Sequence, residues 1–255
     1  MRRIRVIPVL LLKNGGLVKT IRFKNPTYIG DPINAVKIFN EKEVDEIVLL
    51  DIDATIQNRE PDYGKIKEIC SEAFMPFGYG GGIKNIDQIK KLFQTGIEKI
   101  IINTEAFLNP KLIEQAAVIF GNQSIVVSMD FKKNIIGNKK VFVKAGTYNT
   151  KFAPLEYAKK MEDYGAGEFI LTSIDNEGTY KGYDLDIIEL ITHKLKIPVV
   201  ANGGAANISD FVEAIKSGAS AVAAGSIFVY RSNNKGILIN YPSQKELTND
   251  LFDLI

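Results

Sequence analysis

The sequence predicts an α/β protein of the (β/α)8 TIM-barrel class, a single domain over residues 1–255. Three observations predict it. Short apolar, β-branched runs alternate with helix-period stretches from end to end, eight such runs fit into 255 residues, and the chain repeats itself at an offset of 122, close to half its length. Near-continuous apolar strands suit a parallel sheet covered by helices. Eight strand–helix units over ~250 residues suit a closed barrel.

Taken in order, the strand candidates are Val6–Leu12, Ile47–Asp51, Pro76–Tyr79, Ile100–Asn103, Ile125–Asp130, Phe169–Ser173, Pro198–Ala201 and Ala221–Ala224. Between them, Ile86–Gln94, Pro110–Phe120, Pro154–Tyr164, Leu185–Leu195 and Ile208–Ser217 mix polar and apolar residues as helices do. Asp31-Pro32 reads as an N-cap followed by Pro at the first helical position. An open doubly wound sheet is the rival architecture. It would carry a phosphate loop after the first strand, and Lys13-Asn14-Gly15-Gly16 lacks GxGxxG or P-loop spacing.

The internal repeat favours the barrel. Gly81-Gly82, Ile86 and Gly96 recur as Gly203-Gly204, Ile208 and Gly218, Asp53 maps onto Asp175, and Asn103-Thr104 falls opposite Gly225-Ser226. Half-barrels of roughly 1–122 and 123–255, fused in tandem, give such a register. Two connections are too long for ordinary barrel loops: Lys13 to Gly30, and Phe131 to Phe152, where Gly137-Asn138 between hydrophobic arms suggests a small hairpin. Both leave the C-terminal ends of strands, either as decoration or as mobile covers for a substrate.

Composition excludes several classes. Thirty-two basic and thirty acidic side chains leave a net charge of +2, with no basic stripe for nucleic acid. No apolar run reaches the ~18–20 residues of a membrane span. Met1-Arg2-Arg3-Ile4-Arg5-Val6 enters a strand at once, which argues against a signal peptide and for a cytoplasmic protein. The lone Cys70 excludes an internal disulfide and a Cys-cluster metal site. The lone His193 reads as a solvated helix residue, so neither a His-based triad nor a multi-histidine metal site is available. No metal and no cofactor is expected, and chemistry falls to carboxylates, hydroxyls, lysines and backbone amides.

Two constellations carry that chemistry. Gly80-Gly81-Gly82-Ile83 and Asn202-Gly203-Gly204-Ala205 each end a strand, and Asn103-Thr104 and Gly225-Ser226 end the strands that follow. Glycine lets backbone amides approach an anion, and a hydroxyl adds a donor. The pair suits two anion sites on opposite sides of the mouth, for an elongated phosphorylated or nucleotide-linked ligand. The plainer alternative is glycine required only by tight turns. Carboxylates come second. Asp51 and Asp130 close hydrophobic strands, and Asp175 and Glu177 follow the sixth. Asp130 is the leading acid–base candidate, because it ends an apolar strand and opens a long loop.

Arg5-Val6-Ile7-Pro8, Lys13-x-Gly15 with Lys19, Gly30-Asp31-Pro32, Leu50-Asp51-Ile52, Gly80-Gly81-Gly82-Ile83, Ile102-Asn103-Thr104, Leu171-Thr172-Ser173-Ile174-Asp175 and Gly203-Gly204 resemble HisF over nearly the whole chain. HisF is the cyclase barrel of imidazole glycerol phosphate synthase, which takes ammonia from a HisH-like glutaminase docked at its N-terminal face. The resemblance implies catalytic or active-site roles for Asp130, Lys19, Asp51 and Thr172. It implies one phosphate site at Gly82, Asn103 and Thr104, and a second around Glu177, Gly178, Gly204, Gly225 and Ser226. It also implies a gate for ammonia at Arg5, Glu46, Lys99 and Glu168. Even spacing points Arg5, Lys99 and Glu168 into the barrel with Leu11, Asn103 and Thr172, whereas Glu46–Asp51 is odd and calls for a bulge or twist.

One departure matters. Leu11, in Val9-Leu10-Leu11-Leu12-Lys13, stands where the family carries its second catalytic aspartate, Arg22 stands at a loop position where the cyclases carry Asn, and Glu177 replaces a loop aspartate. Leucine cannot exchange a proton. A kept gate with a lost acid resembles the HisF-like paralogues of surface-polysaccharide pathways. The expectation is therefore an ammonia-channelling subunit for acetamidino-sugar formation, working with a HisH-like glutaminase and an ATP-dependent sugar amidotransferase. The alternatives are a histidine-pathway cyclase and a non-catalytic scaffold for two enzymes.

Overall fold

Eight parallel strands close into a barrel in the computed structural model, which describes residues 4–231 and 236–255. The expectation for Met1-Arg2-Arg3 lies outside the described residues. The barrel strands are Arg5–Lys13, Ile47–Asp51, Phe77–Gly80, Lys99–Ile102, Ile125–Lys133, Glu168–Ser173, Val199–Asn202 and Ala221–Ala224, each paired in parallel with its neighbours, and the eighth pairs with the first. Helices follow the strands, including Pro32–Glu41, Tyr63–Cys70, Ile86–Gln94, Lys111–Phe120, Pro154–Asp163, Leu185–Thr192 and Ile208–Lys216. Among the described residues, no helix is long and apolar enough to cross a membrane.

Local chemistry accounts for the element ends. Asp31 caps Pro32–Glu41 by accepting from the Asn34 amide at 3.0 Å. Asn85 and Asn207, 122 residues apart, cap their helices in the same way, from the amides of Gln88 and Asp210. The third barrel strand begins at Phe77 rather than Pro76, because Pro76 has no N–H to place in the ladder; its carbonyl accepts from the Ile47 amide instead. His193 caps the end of Leu185–Thr192 and is exposed.

Lys13 to Gly30 is not a loop. The first barrel strand turns back at Asn14-Gly15 into Gly16–Ile21, which pairs antiparallel with it, and Lys24–Gly30 adds a further strand. After the fifth barrel strand, Lys139–Val143 pairs back on Phe131 to Lys133 as a hairpin, as the turn residues suggest.

Alternation divides each barrel strand between two cores. Outward residues such as Val6, Leu10, Leu49, Tyr79 and Phe169 pack under the helices. Inward residues fill the lumen with a separate cluster of Ile7, Val9, Val48, Ile101, Val126, Ile170, Val200, Ala221 and Ala223, against which Leu11 and Leu50 pack. Parallel pairing of Val9 with Val48 and Leu11 with Leu50 sets the phase of the second strand. Glu46, Val48 and Leu50 therefore share the inward face, with no bulge. The odd spacing to Asp51 means instead that Asp51 points out of the lumen.

Candidate functional site

The C-terminal ends of the strands surround a cavity of about 420 Å³, lined by Leu11, Lys19, Leu50, Asp51, Asn103 and Asp130 among others. Residues two apart on a strand point the same way, so Ser128 and Asp130 enter the cavity together. Asp130 is buried. It accepts from Asn103 Nδ2 at 3.0 Å and Ser128 Oγ at 3.3 Å and shares a hydrogen bond with Thr172, its register partner on the sixth strand. Thr172 in turn accepts from Asn202 Nδ2 at 3.1 Å. Burial pushes the Asp130 carboxyl up to about 7, against the pull of these neutral donors. A carboxyl in that range both takes and returns a proton near neutrality.

Three of the cavity's other carboxylates, Asp51, Asp53 and Glu177, hold cations, whereas Glu105 lines the cavity with its carboxyl raised by burial. Arg59 Nη2 reaches both oxygens of Asp51, at 2.9 and 2.7 Å, and the amides of Asp53 and Ala54 donate to Asp51 Oδ1. Lys13 Nζ lies 3.1 Å from Asp53 Oδ1. Lys19 pairs with Glu177. Burial lowers the Lys19 ammonium to about 7. Across from Asp130, Leu11 and Leu50 present hydrocarbon.

The two glycine clusters differ. Gly81, Gly82, Asn103 and Thr104 line the cavity. Gly82 has φ +70°, and a Cβ there would stand 2.6 Å from the Arg59 carbonyl, so no other residue fits without movement. Thr104 Oγ1 accepts from the Lys144 amide at 3.0 Å, which brings the hairpin of the fifth strand onto this cluster. The second cluster is covered. Gly182 N donates to the Gly204 carbonyl at 2.9 Å, Tyr180 shares a hydrogen bond with Ser226, and a Cβ on Gly178 would stand 2.6 Å from the Thr20 carbonyl. Of this cluster only Glu177 and Gly225 line the cavity, and a Cβ on Gly225 would stand 2.9 Å from Lys19 Cε.

At the opposite end of the lumen, four charges close a ring. Arg5 Nη1 lies 2.5 Å from Glu46 Oε2, Arg5 also pairs with Glu168, and Lys99 Nζ lies 2.9 Å from Glu46 Oε2 and 2.7 Å from Glu168 Oε2. Burial opposes charge on Glu168, yet Arg5 and Lys99 hold its carboxyl below the usual range. Burial likewise opposes charge on Arg5, and Glu168 and Glu46 hold its guanidinium above its ordinary value. Ile7, Val48, Val126, Ile170 and Val200 separate this ring from the mouth.

Sequence reasoning missed Arg59, Tyr180 and Lys144. Each reaches its partner from a loop, where no periodicity betrays the contact. Ser128 was findable, two residues before Asp130 on one strand face.

Residues 5–234 match a family model described as histidine biosynthesis protein. The chain is 49% identical over 248 residues, covering 97% of it and 99% of the relative, to a provisionally named imidazole glycerol phosphate synthase subunit hisF2 of Pseudomonas aeruginosa. It is 42% identical over 222 residues to the imidazole glycerol phosphate synthase subunit HisF of Sulfolobus acidocaldarius, covering 87% and 88% of the two chains. The HisF subunit of Streptococcus mutans is 39% identical over 227 residues, with 89% and 90% covered.

Proposed function

The chain belongs to the HisF family of histidine-biosynthesis barrels, and from that premise we propose that it is the synthase subunit of a glutamine-dependent amidotransferase of the imidazole glycerol phosphate synthase type. A HisH-like glutaminase releases ammonia at the N-terminal face, and the lumen conducts it to an acceptor at the mouth. The layering of the lumen carries this reading: a charged ring of Arg5, Glu46, Lys99 and Glu168, an apolar middle, then the polar belt around Asp130. An apolar middle admits neutral ammonia and penalises ammonium, because an unpaired ion in such surroundings costs many kcal/mol. Asp130 then serves as acid–base, Lys19 faces the acceptor, and the open cluster of Gly82, Asn103 and Thr104 takes a phosphate.

The histidine-pathway reaction comes first, since the relatives above carry that description. Acetamidino-sugar formation with an ATP-dependent amidotransferase comes second. One observation favours it: Leu11 and Leu50 face Asp130, while Asp51, Asp53 and Glu177 are held by Arg59, Lys13 and Lys19.

The deciding experiment supplies the purified barrel with an ammonium salt and the ribulosyl-carboxamide nucleotide and follows imidazole product. Turnover within about tenfold of an ordinary cyclase establishes the first reading. A deficit of ~10²-fold or more, the weight of one acid–base group, together with retained activation of a HisH-like glutaminase, establishes the second. Loss of both leaves a scaffold.

A further inference from the structure

The hairpin beyond the fifth barrel strand carries a surface that the site above does not use. Its turn, residues 134–138, is closed by the Asn138 carbonyl, which accepts from the Asn134 amide at 2.8 Å. Asn134 Oδ1 also accepts from the amides of Ile136 and Asn138 at 3.1 and 2.9 Å. This locked turn holds two adjacent aliphatic side chains in water: Ile135 is 106% exposed and Ile136 78%. The turn itself needs only its asparagines and glycine. From Phe131 to Leu155 the chain has six lysines and no Asp or Glu, in a protein whose net charge is +2.

We propose that this hairpin docks a second protein, one that presents an apolar pocket rimmed by carboxylates and sits over the barrel mouth. The inference deepens the reading above, on which it rests for its purpose, by naming the partner at the acceptor end. Charge complementarity selects an acidic surface. Fixed geometry selects a protein over an anionic bilayer. Lys132 Nζ is held by the Gly146 carbonyl at 2.8 Å and Lys140 Nζ by the Lys151 carbonyl at 3.0 Å, while the charge of Lys139 is already paired with Asp184. Ammonium groups pinned in this way match carboxylates at fixed positions, which a fluid lipid surface does not offer. The hairpin is also tied to the cavity wall through Lys144 and Thr104, and Ile56 and Leu108, 62% and 55% exposed, stand on the cavity's edge. A shaped partner covers tip and edge together, whereas a flat bilayer resting on the tip does not reach both.

The test places a photoreactive amino acid at position 136 of the full chain in the cells that make it, with position 119, exposed on the helix Lys111–Phe120, as control. The expected result is one discrete protein adduct at 136 and none at 119, joined through a segment rich in Asp and Glu. That protein, purified, binds the wild-type chain in a salt-sensitive manner, and about tenfold or more more weakly when the chain carries Ile135→Ser with Ile136→Ser, or Lys133→Glu with Lys140→Glu. Absence of an adduct, an adduct indifferent to the lysine changes, or sedimentation with phosphatidylglycerol vesicles that depends on Ile135 and Ile136 overturns the proposal. Glutaminase activation and ammonia-dependent turnover, read on the same variants, report separately on the function proposed above.

Discussion

Arg59 clamps Asp51 from eight residues away, with Nη2 2.7 Å from Oδ2 and 2.9 Å from Oδ1, while Asp51 itself turns out of the lumen. Together with the amides of Asp53 and Ala54, the guanidinium fixes the loop that carries Thr55 to the Gly82 amide at 3.4 Å. Asp51 thus holds the loop that packs against Gly82. Arg59 is one-third exposed, which softens its contribution. Arg59→Ala leaves a buried carboxylate with amide partners only and lowers the unfolding free energy by about 1–2 kcal/mol. Urea denaturation measures that loss. In a ligand titration, Asp51→Asn weakens inorganic phosphate binding more than it changes any rate with saturating acceptor.

Asp130 gives stability a pH dependence of definite sign. Its folded pKa, about 7, lies above the ordinary carboxyl value of 3.8, so between these limits the folded state holds a proton that the unfolded chain has released. The contribution to stability is full below the lower value and is lost as pH rises through the upper one. Relative to Asp130→Asn, the wild-type protein therefore loses about 2–3 kcal/mol between about pH 5 and about pH 8. Parallel unfolding curves for the two proteins across that interval test this, because the burial-lowered Lys19 and all other groups cancel in the difference.

The barrel strands were legible because both of their faces are buried, leaving unbroken apolar runs. That same property hid the phase of the second strand. Nothing in Ile47-Val48-Leu49-Leu50 says which alternate residues face the lumen, and the register with Leu11 decides for Glu46, Val48 and Leu50. The Asn14-Gly15 turn carries the residues of a hairpin, but the turn between Gly16–Ile21 and Lys24–Gly30 escaped notice for a different reason. Ile21 pairs with Lys24 around Arg22 and Phe23, whose φ values of +52° and +61° are those usually left to Gly or Asn, so the turn carries no turn residue. Covering of the second glycine cluster was equally unreadable, since Tyr180 reaches Ser226 from a loop. Asp130 was legible, because a carboxylate closing an apolar run enters a barrel mouth wherever parity points it inward, although the strand itself continues to Lys133.

Leu11 faces the same cavity as Asp130 from the first strand. Leu11→Asp returns a carboxylate to that wall. Beside Leu50 and Val9 its own carboxyl rises on burial, the condition for proton exchange near neutrality. In the assay with ammonium and the ribulosyl nucleotide, the variant gains on the order of 10²-fold in imidazole formation over the wild-type chain. Turnover equal in both proteins shows that Asp130 suffices alone and withdraws the weight placed on Leu11. Thermal melting of the variant separates failure to react from failure to fold.

Lys99 is the simplest entry to the base of the lumen, because it bridges Glu46 and Glu168 at 2.9 and 2.7 Å while Arg5 bridges the same pair from the other side. Lys99→Met keeps the aliphatic stem and removes the ammonium. Glu46 and Glu168, both buried, are then left to Arg5, and the uncompensated charge lowers stability by about 2–3 kcal/mol. If the ring is a gate, the loss also shows in traffic. In complex with a HisH-like glutaminase, Lys99→Met continues to hydrolyse glutamine, but ammonium escapes to solvent, where a coupled enzyme assay detects it, and turnover with glutamine falls relative to turnover with free ammonium. If the ring is only structural, both turnovers fall together with the melting temperature. Lys99→Arg discriminates further: it restores the charge and the stability, and with a bulkier head across the axis it slows delivery from glutamine while leaving turnover with free ammonium at the mouth unchanged.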